Sequence, residues 1–574
     1  MVSQTTHVAS ASSRIALFAR RPWLIPLVVG ALSVLVLLPA AISDFDSHHD
    51  GYMLAGAVAV RDGAVVHRDV FAQYGPVTPV VQGIFLHSGL SPAVGIRVLN
   101  VLLIAATAGL LAAMPAIGGT IGVPRSAYLW GAATWVLTSD ALLGVPMLPW
   151  SSVLSAFLGT AGAFLLLSSL SRKGATGRLL AATAGVCVGL IPFTRLNSGA
   201  VLALAALPIL LLAIVRIRRS HEFQRLLVAV VAGVGTIFTI SILLQMNGAL
   251  RPYYQQAIYF PALQQREAAE QIDSPMRFLE MLMTYAPSMF AFGCGLLLVF
   301  RYQGTQITRN SPRLRTFAAV SILVVTQFNL IAASGGLSVS VTSYGIHFLE
   351  LLFVFGVAST GVFLLLGFLK IYRREPSGVA LAVLALFAIA ALAQGAPLFD
   401  ARHLWWALPL AAPLVFALLD SSGDGARMRP SPLRISAVIA ASIFVLAYAN
   451  SLSKERVQLQ TPPALQGMQV APEVAEALRA DYELLKGTVG DTRPVMFVVD
   501  GDVSVFSNEY RASDNYFVRW GFPPRPLDER LVESDFLVVQ LPPNGDDQIV
   551  EQFTEWYDVI GSSPRLAVLQ GKAQ

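Results

Sequence analysis

Charge is what this chain has least of. Only 13% of its 574 residues are Asp, Glu, Lys or Arg, where a soluble protein carries about 25%. So little polar side chain cannot cover a water-soluble globule of this length, and a mean hydropathy of +0.62 agrees. Cysteine is nearly missing too. Cys187 and Cys294 both lie inside apolar runs, so no disulfide framework can be read and both are small apolar fillers. Alternating strands of about ten residues are lacking, which excludes a transmembrane barrel. No internal repeat or low-complexity tract occurs, so neither a solenoid nor a pair of matching halves is indicated.

What the chain does have is a succession of apolar runs, each near the roughly 20 residues that cross a hydrocarbon core. They are Trp23–Ile42, Val94–Ala116, Ser126–Leu143, Ser151–Leu170, Leu179–Phe193, Ser198–Val215, Leu226–Met246, Met281–Phe300, Thr316–Ala333, Ile346–Leu369, Val379–Ala396, Leu404–Leu419 and Ile435–Ala449. The expected fold is therefore a polytopic α-helical membrane protein of about 13 transmembrane helices, because helices satisfy their own backbone groups in lipid. Arg195 and Asn197 interrupt the Leu179–Val215 region, where a short re-entrant turn would give a similar pattern.

Orientation follows from Lys and Arg in the short loops. Arg14, Arg20 and Arg21 precede the first run. The even-numbered returns end in Arg172-Lys173, Arg216-Arg218-Arg219, Arg309-Arg313-Arg315, Lys370-Arg373-Arg374 and Arg427-Arg429. A thirteen-span count puts all of these on one side, with residues 1–22 cytoplasmic and the C-terminus outside. The first run is long for a signal sequence, and Asp-rich chain follows it instead of a small-residue cleavage site, so it reads as a retained helix. Residues 23–450 form the expected membrane domain in a prokaryotic-style plasma membrane, with large outer loops at 44–92 and 247–280.

The net charge of +5 averages two unlike parts: the stretch from Lys454 onward carries −8 and the remainder +13. Basic loops beside an acidic tail point to membrane topology and away from nucleic acid. Residues 451–574 are composed like a small soluble α/β domain. Its pattern predicts helix Glu473–Lys486, strands Val495–Val499 and Phe536–Gln540, helix Gln548–Tyr557 and strand Leu566–Leu569, after a Pro/Gln-rich linker at Gln458–Gln469. It shows no recognisable catalytic or metal spacing; Asp500-Gly501-Asp502 follows a strand without a phosphate loop.

The first outer loop carries the chemistry. It reads SDFDSHHDGYMLAGAVAVRDGAVVHRDVFAQYGPVTP and gathers Asp44, Asp46, His48, His49 and Asp50 within seven residues, with Asp69 nineteen residues beyond Asp50. A helix through Tyr52–Val60 capped by Asp46 or Ser47 accounts for one acid at a time. It does not account for the whole cluster followed by the turn Tyr74-Gly75-Pro76.

In this order of residues the chain resembles the GT-C superfamily of integral membrane glycosyltransferases. The likeness is to the branch of protein mannosyltransferases and lipid A aminoarabinose transferases. Asp50-Gly51-Tyr52, the helix through Arg61-Asp62-Gly63, His67-Arg68-Asp69 and Tyr74-Gly75-Pro76 carry it. It is best over Asp44–Pro79 and extends loosely, by span order, to about residue 245. Gly51 stands where Glu is commoner, so no role of that second acid transfers.

The resemblance implies transfer of a sugar from a polyprenyl-phosphate donor to a cell-envelope glycan, lipid or protein acceptor on the outer face, with inversion. It gives Asp50 the role of general base or metal ligand. A carboxylate at the lipid edge is partly desolvated, which raises its pKa toward a useful base value. Asp140, between the third and fourth spans, positions the acceptor in this scheme or completes a cation site. Asp46 and His48 are the residues that would hold a divalent cation as cofactor. Arg195, Arg251 and Arg402 with His403 are cations at outer ends, suited to the phosphate of the leaving group, or to anchoring helices by snorkelling. Asp69 and Tyr74 complete the loop. His347 and Glu350, one turn apart inside the tenth span, face a cavity or each other. A transporter or flippase of lipid-linked sugars, and a non-enzymatic scaffold displaying the tail, are the alternative readings.

Overall fold

The computed structural model describes residues 23–72, 74–117, 123–139, 147–259, 274–291, 293, 325–330, 333, 341–375, 377–395, 400–419, 432–490, 495–499, 506, 512–517, 535–541 and 548–572. Helix α1 (Leu24–Ala41) is followed by α2 (Ser47–Arg61), α3 (Val77–Phe85) and α4 (Pro92–Ala113). Next come α5 (Arg125–Leu137), α6 (Ser151–Ser171), α7 (Gly174–Leu190), α8 (Leu196–Ile217), α9 (His221–Met246) and the short α10 (Leu250–Tyr254). The helical part closes with α11 (Ser274–Thr284), α12 (Val341–Tyr372), α13 (Gly378–Leu392), α14 (Ala401–Trp406), α15 (Leu408–Leu419) and α16 (Pro432–Leu452).

The protein is a polytopic helical membrane protein. Among the described residues, seven helices are long and apolar enough to cross a membrane: α1, α4, α6, α7, α8, α9 and α12. This is fewer than the thirteen expected. The run Ser126–Leu143 yields the 13 residues of α5, and Val379–Ala396 yields the 15 of α13. Leu404–Leu419 divides into α14 and α15 beside Pro409, which has no N–H to donate back to Trp405. Met281–Phe300 and Thr316–Ala333 fall largely outside the described residues.

Helix α13 is apolar on every side, and all its residues but Ile389 are buried, as befits a helix enclosed by others. It packs against α6, α8, α12 and α15. Helices α8 and α9 instead expose Leu204, Val215, Phe238 and Met246, a surface for lipid. Helices α7 and α9 approach backbone to backbone. A Cβ at Gly185 would collide with the Ala229 carbonyl, and one at Gly189 with that of Gly233, the small-residue packing that membrane helices use.

After α16, strands β1 (Val457–Gln458) and β2 (Gln469–Val470) pair antiparallel, and Gln469 also bridges Ser43. The stretch read as a linker is thus docked on the start of the segment that follows α1. Beyond it lie α17 (Pro472–Thr488), β3 (Val495–Val499), β4 (Ala512–Phe517), β5 (Phe536–Gln540), α18 (Gln548–Glu551), β6 (Tyr557–Ser562) and β7 (Leu566–Gly571). The sheet order is β4-β3-β5-β7-β6; β3 runs parallel to β4 and β5, and β7 antiparallel to β5 and β6. The helix expected over Gln548–Tyr557 stops at Glu551, and strand begins at Tyr557. The aromatic and β-branched residues there pair with β7, a gain that outweighs helical periodicity.

Candidate active site

The first turn of α2 is built from acids. Asp46 is the N-cap: its Oδ1 accepts the His49 N–H at 3.0 Å, while its own N–H donates to Asp50 Oδ2 at 3.0 Å. Two backbone donors are thereby satisfied reciprocally, as in a capping box.

The two carboxylates meet different surroundings. Asp50 is 1% exposed. Arg97, from α4, donates Nε to Asp50 Oδ1 at 3.0 Å and Nη2 to Oδ2. Arg97 Nη1 donates to the carbonyls of Ala41, Ser43 and Asp44 at 3.3, 3.2 and 2.8 Å. Burial pushes the Asp50 carboxyl above the usual range, opposed by the Arg97 guanidinium and the Asp46 N–H. Both Asp50 oxygens are engaged, so it ties α2 to α4 and presents no free face to a substrate.

Asp46 is half-buried. Its Oδ2 lies 2.9 Å from His49 Nδ1 and 3.8 Å from Arg402 Nη1. Burial works against its charge but is outweighed by the hydrogen bonds from His49 and the charges of His49 and Arg402, so its pKa falls to about 2.

Around this turn an aromatic collar closes. The His49 ring meets Trp150 edge-on at 5.3 Å, and Trp150 meets Tyr74 at 5.2 Å and Tyr52 at 6.2 Å. Trp150 is placed by its neighbours, because Asn100 Nδ2 donates to Leu148 O at 2.9 Å and Gln82 Nε2 to Pro149 O at 2.8 Å. Tyr74 is placed by Gly75. A Cβ at Gly75 would collide with the Phe193 carbonyl, so only glycine lets the turn come this close. That approach sets Tyr74 beside Arg195, which stands in extended conformation at the N-cap of α8.

Arg195 is 7% exposed. Its guanidinium carbon lies 4.6 Å from the Tyr74 ring centroid and 5.6 Å from that of Trp406. Its buried Nε has no hydrogen-bond partner, and no carboxylate pairs with it, among the described residues. The circuit returns through α14. Trp406 meets His403 at 4.8 Å, His403 Nδ1 lies 2.9 Å from the N-cap Asp400, and Arg402 reaches Asp46. Trp405 anchors α14, stacking on Trp135 at 4.4 Å and donating Nε1 to Trp135 O at 2.8 Å. Asp46, His49, Trp150, Tyr74, Arg195 and Trp406 thus form a closed collar with Arg402.

Of the residues singled out from the sequence, Asp46, Tyr74, Arg195, Arg402 and His403 come together here, and Asp50 stands behind them. Asp69 does not join. Its carboxylate pairs with Arg68 at 2.7 and 2.8 Å and accepts the Val65 N–H at 2.8 Å, and the hydrogen bond from Arg68 holds its pKa below the usual range. Beside it, His67 Nδ1 lies 2.9 Å from Gln256 Oε1, and burial pushes the His67 pKa down to about 4. Arg251 is exposed on α10. His347 Nδ1 and Glu350 Oε2 are 2.8 Å apart, and Tyr285 donates to the same Glu350 oxygen at 2.8 Å, forming a separate cluster. Asp140 and the side chain of His48 lie outside the described residues. No set of three His, Cys, Asp or Glu gathers as for a metal among the described ones. The Arg402 charge beside Asp46 also opposes a divalent cation there.

Arg97, Trp150 and Trp406 were not marked in the sequence as site residues, and His49 stood out there only within the acid cluster, beside Asp46, His48 and Asp50 as a ligand for a divalent cation. A lone arginine just inside an apolar run was the available signal for Arg97. The aromatics offered none, since tryptophan at membrane edges is ordinary.

No family model and no curated protein matches the chain. Among solved structures, the archaeal oligosaccharyltransferase AglB from Archaeoglobus fulgidus, in complex with an inhibitory peptide and a dolichol-phosphate, is 12% identical, with 95% of this chain and 74% of that chain covered and a TM-score of 0.46. ArnT from Cupriavidus metallidurans bound to undecaprenyl phosphate is 14% identical, with 95% and 97% covered and a TM-score of 0.43. At such values neither likeness assigns a function.

Proposed function

We propose that this chain is a GT-C-type membrane glycosyltransferase that moves a sugar from a polyprenyl-phosphate donor to an envelope acceptor at the outer face. The observation that carries this reading is Arg195: a buried guanidinium, held between two aromatic rings, with no acid partner among the described residues. A desolvated charge needs a counter-ion, and the donor phosphate supplies one. The planar fork suits phosphate oxygens and stabilises the negative charge left on the lipid phosphate as the glycosidic bond breaks.

Across the collar, Asp46 and His49 form a carboxylate–imidazole dyad. His49 takes the proton of the attacking acceptor group, and Asp46 orients the ring and stabilises the imidazolium formed. A carboxylate with a pKa of about 2 is a poor base itself but stays ionised for this duty. Asp50, the expected base, becomes the strut that fixes the turn, because its oxygens are already taken by Arg97. Tyr74, half-buried, offers a face for the sugar or the allylic end of the lipid, while the buried Trp150 and Trp406 hold Tyr74, His49 and Arg195 in place. The test is transfer from mixed radiolabelled polyprenyl-phosphate sugars by the purified full-length chain. Loss of transfer in Asp46→Asn and Arg195→Gln supports the reading; full transfer in both, at normal membrane levels, refutes it.

The Tyr285–His347–Glu350 cluster within the helical part favours a second reading, a transporter of lipid-linked sugars. Substrate-dependent transport that survives Asp46→Asn would favour it.

A further inference from the structure

Asp44, two residues before Asp46, has its backbone in the left-handed region, with a φ of 57°. Such a conformation persists where the surroundings over-determine it. Most of what holds Asp44 comes from the segment between α16 and α17. Its N–H donates to Gln469 O at 2.7 Å, and the Gln469 N–H reaches Ile42 O at 2.7 Å. Arg456 grips its carboxylate with Nε at 3.2 Å and Nη2 at 2.9 Å. The Arg456 side chain is 6% exposed, and its Nη2 also donates to Ser451 Oγ at 3.2 Å. From the other side, the Asp44 carbonyl accepts Arg97 Nη1 at 2.8 Å.

The same Arg97 forks onto Asp50, and Asp50 accepts the Asp46 N–H. An unbroken run of polar contacts therefore leads from Arg456 through Asp44, Arg97 and Asp50 to the N-cap of α2. The docked segment is held a second time, because Ser91, at the N-cap of the helix that carries Arg97, donates its hydroxyl to Gln466 O.

We propose that Arg456 is a positioning residue for the transfer reaction: it holds Asp44 in its left-handed conformation and, through Arg97 and Asp50, sets the Asp46–His49 dyad toward the collar. Residues 451–470 then complete the active site as well as leading to the sheet domain. The inference rests on the reading of Asp46 and His49 as the proton-handling pair. Two parallel N–H contacts define the orientation of Asp44, which a lysine makes only in part.

The test uses the full-length chain in lipid nanodiscs, with transfer kinetics and amide hydrogen exchange measured on the same preparations. In Arg456→Gln, kcat is expected to fall about 10- to 100-fold with donor KM unchanged, the size of effect that small misplacement of catalytic groups produces. Exchange at the His49 and Asp50 amides is expected to speed up. Arg456→Lys should recover part of both. Wild-type kcat and wild-type exchange in Arg456→Gln would overturn the proposal, as would an equal loss of kcat in both variants with exchange unchanged. If the wild type transfers sugar from no polyprenyl-phosphate donor, the transferase reading fails and the coupling is decided by exchange alone. Unchanged protection overturns it and faster exchange upholds it.

Discussion

The inner and outer sides of one helical turn hold the same chemical group in opposite circumstances. On the inner side Asp50 is sealed from solvent and each oxygen is matched by an arginine donor. On the outer side Asp46 is half-buried, shares one oxygen with His49 and stands 3.8 Å from Arg402. A fully matched buried charge has no capacity left for a substrate, so it works as a strut. A partly matched charge at a surface keeps capacity and can do chemistry. The arginines divide the same way: Arg97 has all its partners in the chain, whereas the Nε of Arg195 has none among the described residues.

Breaking the inner side should have the largest effect. Arg97→Met leaves the Asp50 charge buried and unmatched, with an expected loss of about 3–5 kcal/mol. The double variant Arg97→Met/Asp50→Leu should recover much of it, because no charge is then stranded. Thermal unfolding of the detergent-purified chain measures both. A single variant as stable as the wild type would erase the distinction between strut and reagent.

A pH scan sharpens the contrast next. His67 is buried neutral with a pKa of about 4 against 6.5 for the free side chain. Between those values the unfolded chain binds the proton and the folded chain does not. Stability is therefore complete above roughly pH 6.5 and declines toward pH 4, by about 3 kcal/mol. His67→Gln should flatten that window. Asp46 acts lower on the scale. Its depressed pKa contributes stability that is present above its ordinary value of 3.8 and lost as pH falls through about 2. Unfolding midpoints that do not change from pH 7 to pH 4 would contradict the buried, neutral His67.

On the outer side the effects should fall on activity. Asp46→Asn keeps a good N-cap and gives up only the charge pairing with His49 and Arg402, so a modest loss of stability is expected while transfer falls by about 100-fold or more. Equal losses of stability and transfer would make Asp46 a second strut. The smallest expected effect is at Arg195. Arg195→Gln should lower kcat/KM for the donor about tenfold, and Arg195→Lys should restore little, because a single ammonium does not reproduce the planar fork. Donor titrations of the transfer rate check both.

Much of the fold was legible because each apolar run carries its own local signal. Thirteen was an overcount of full spans among the described residues because hydropathy does not sense short helices that are enclosed by others, such as α13, or the division beside Pro409. In the tail, Val495–Val499 and Phe536–Gln540 were read at the observed bounds from short apolar runs. The strand at Tyr557–Ser562 was missed because its partner, β7, decides it. In the site, the acid cluster, the Tyr74-Gly75-Pro76 turn and the out-of-place Arg195 stood out as residues unusual for their neighbourhood. What was not legible is that Arg97 covers Asp50, the acid expected to be the base, because nothing local in the sequence says so.

The sequence alone determined the class of the molecule and drew attention to the acid-rich segment after its first apolar run, since both depend on local composition: lipid demands apolar runs, and acids at a membrane edge are conspicuous. Only the tertiary structure decided which acid is sealed and which is open. The partners that settle it lie far along the chain: Arg97, 47 residues from Asp50, and Arg402 beside Asp46. A charge takes its properties from desolvation and from the donors around it, and those donors are brought to it by folding.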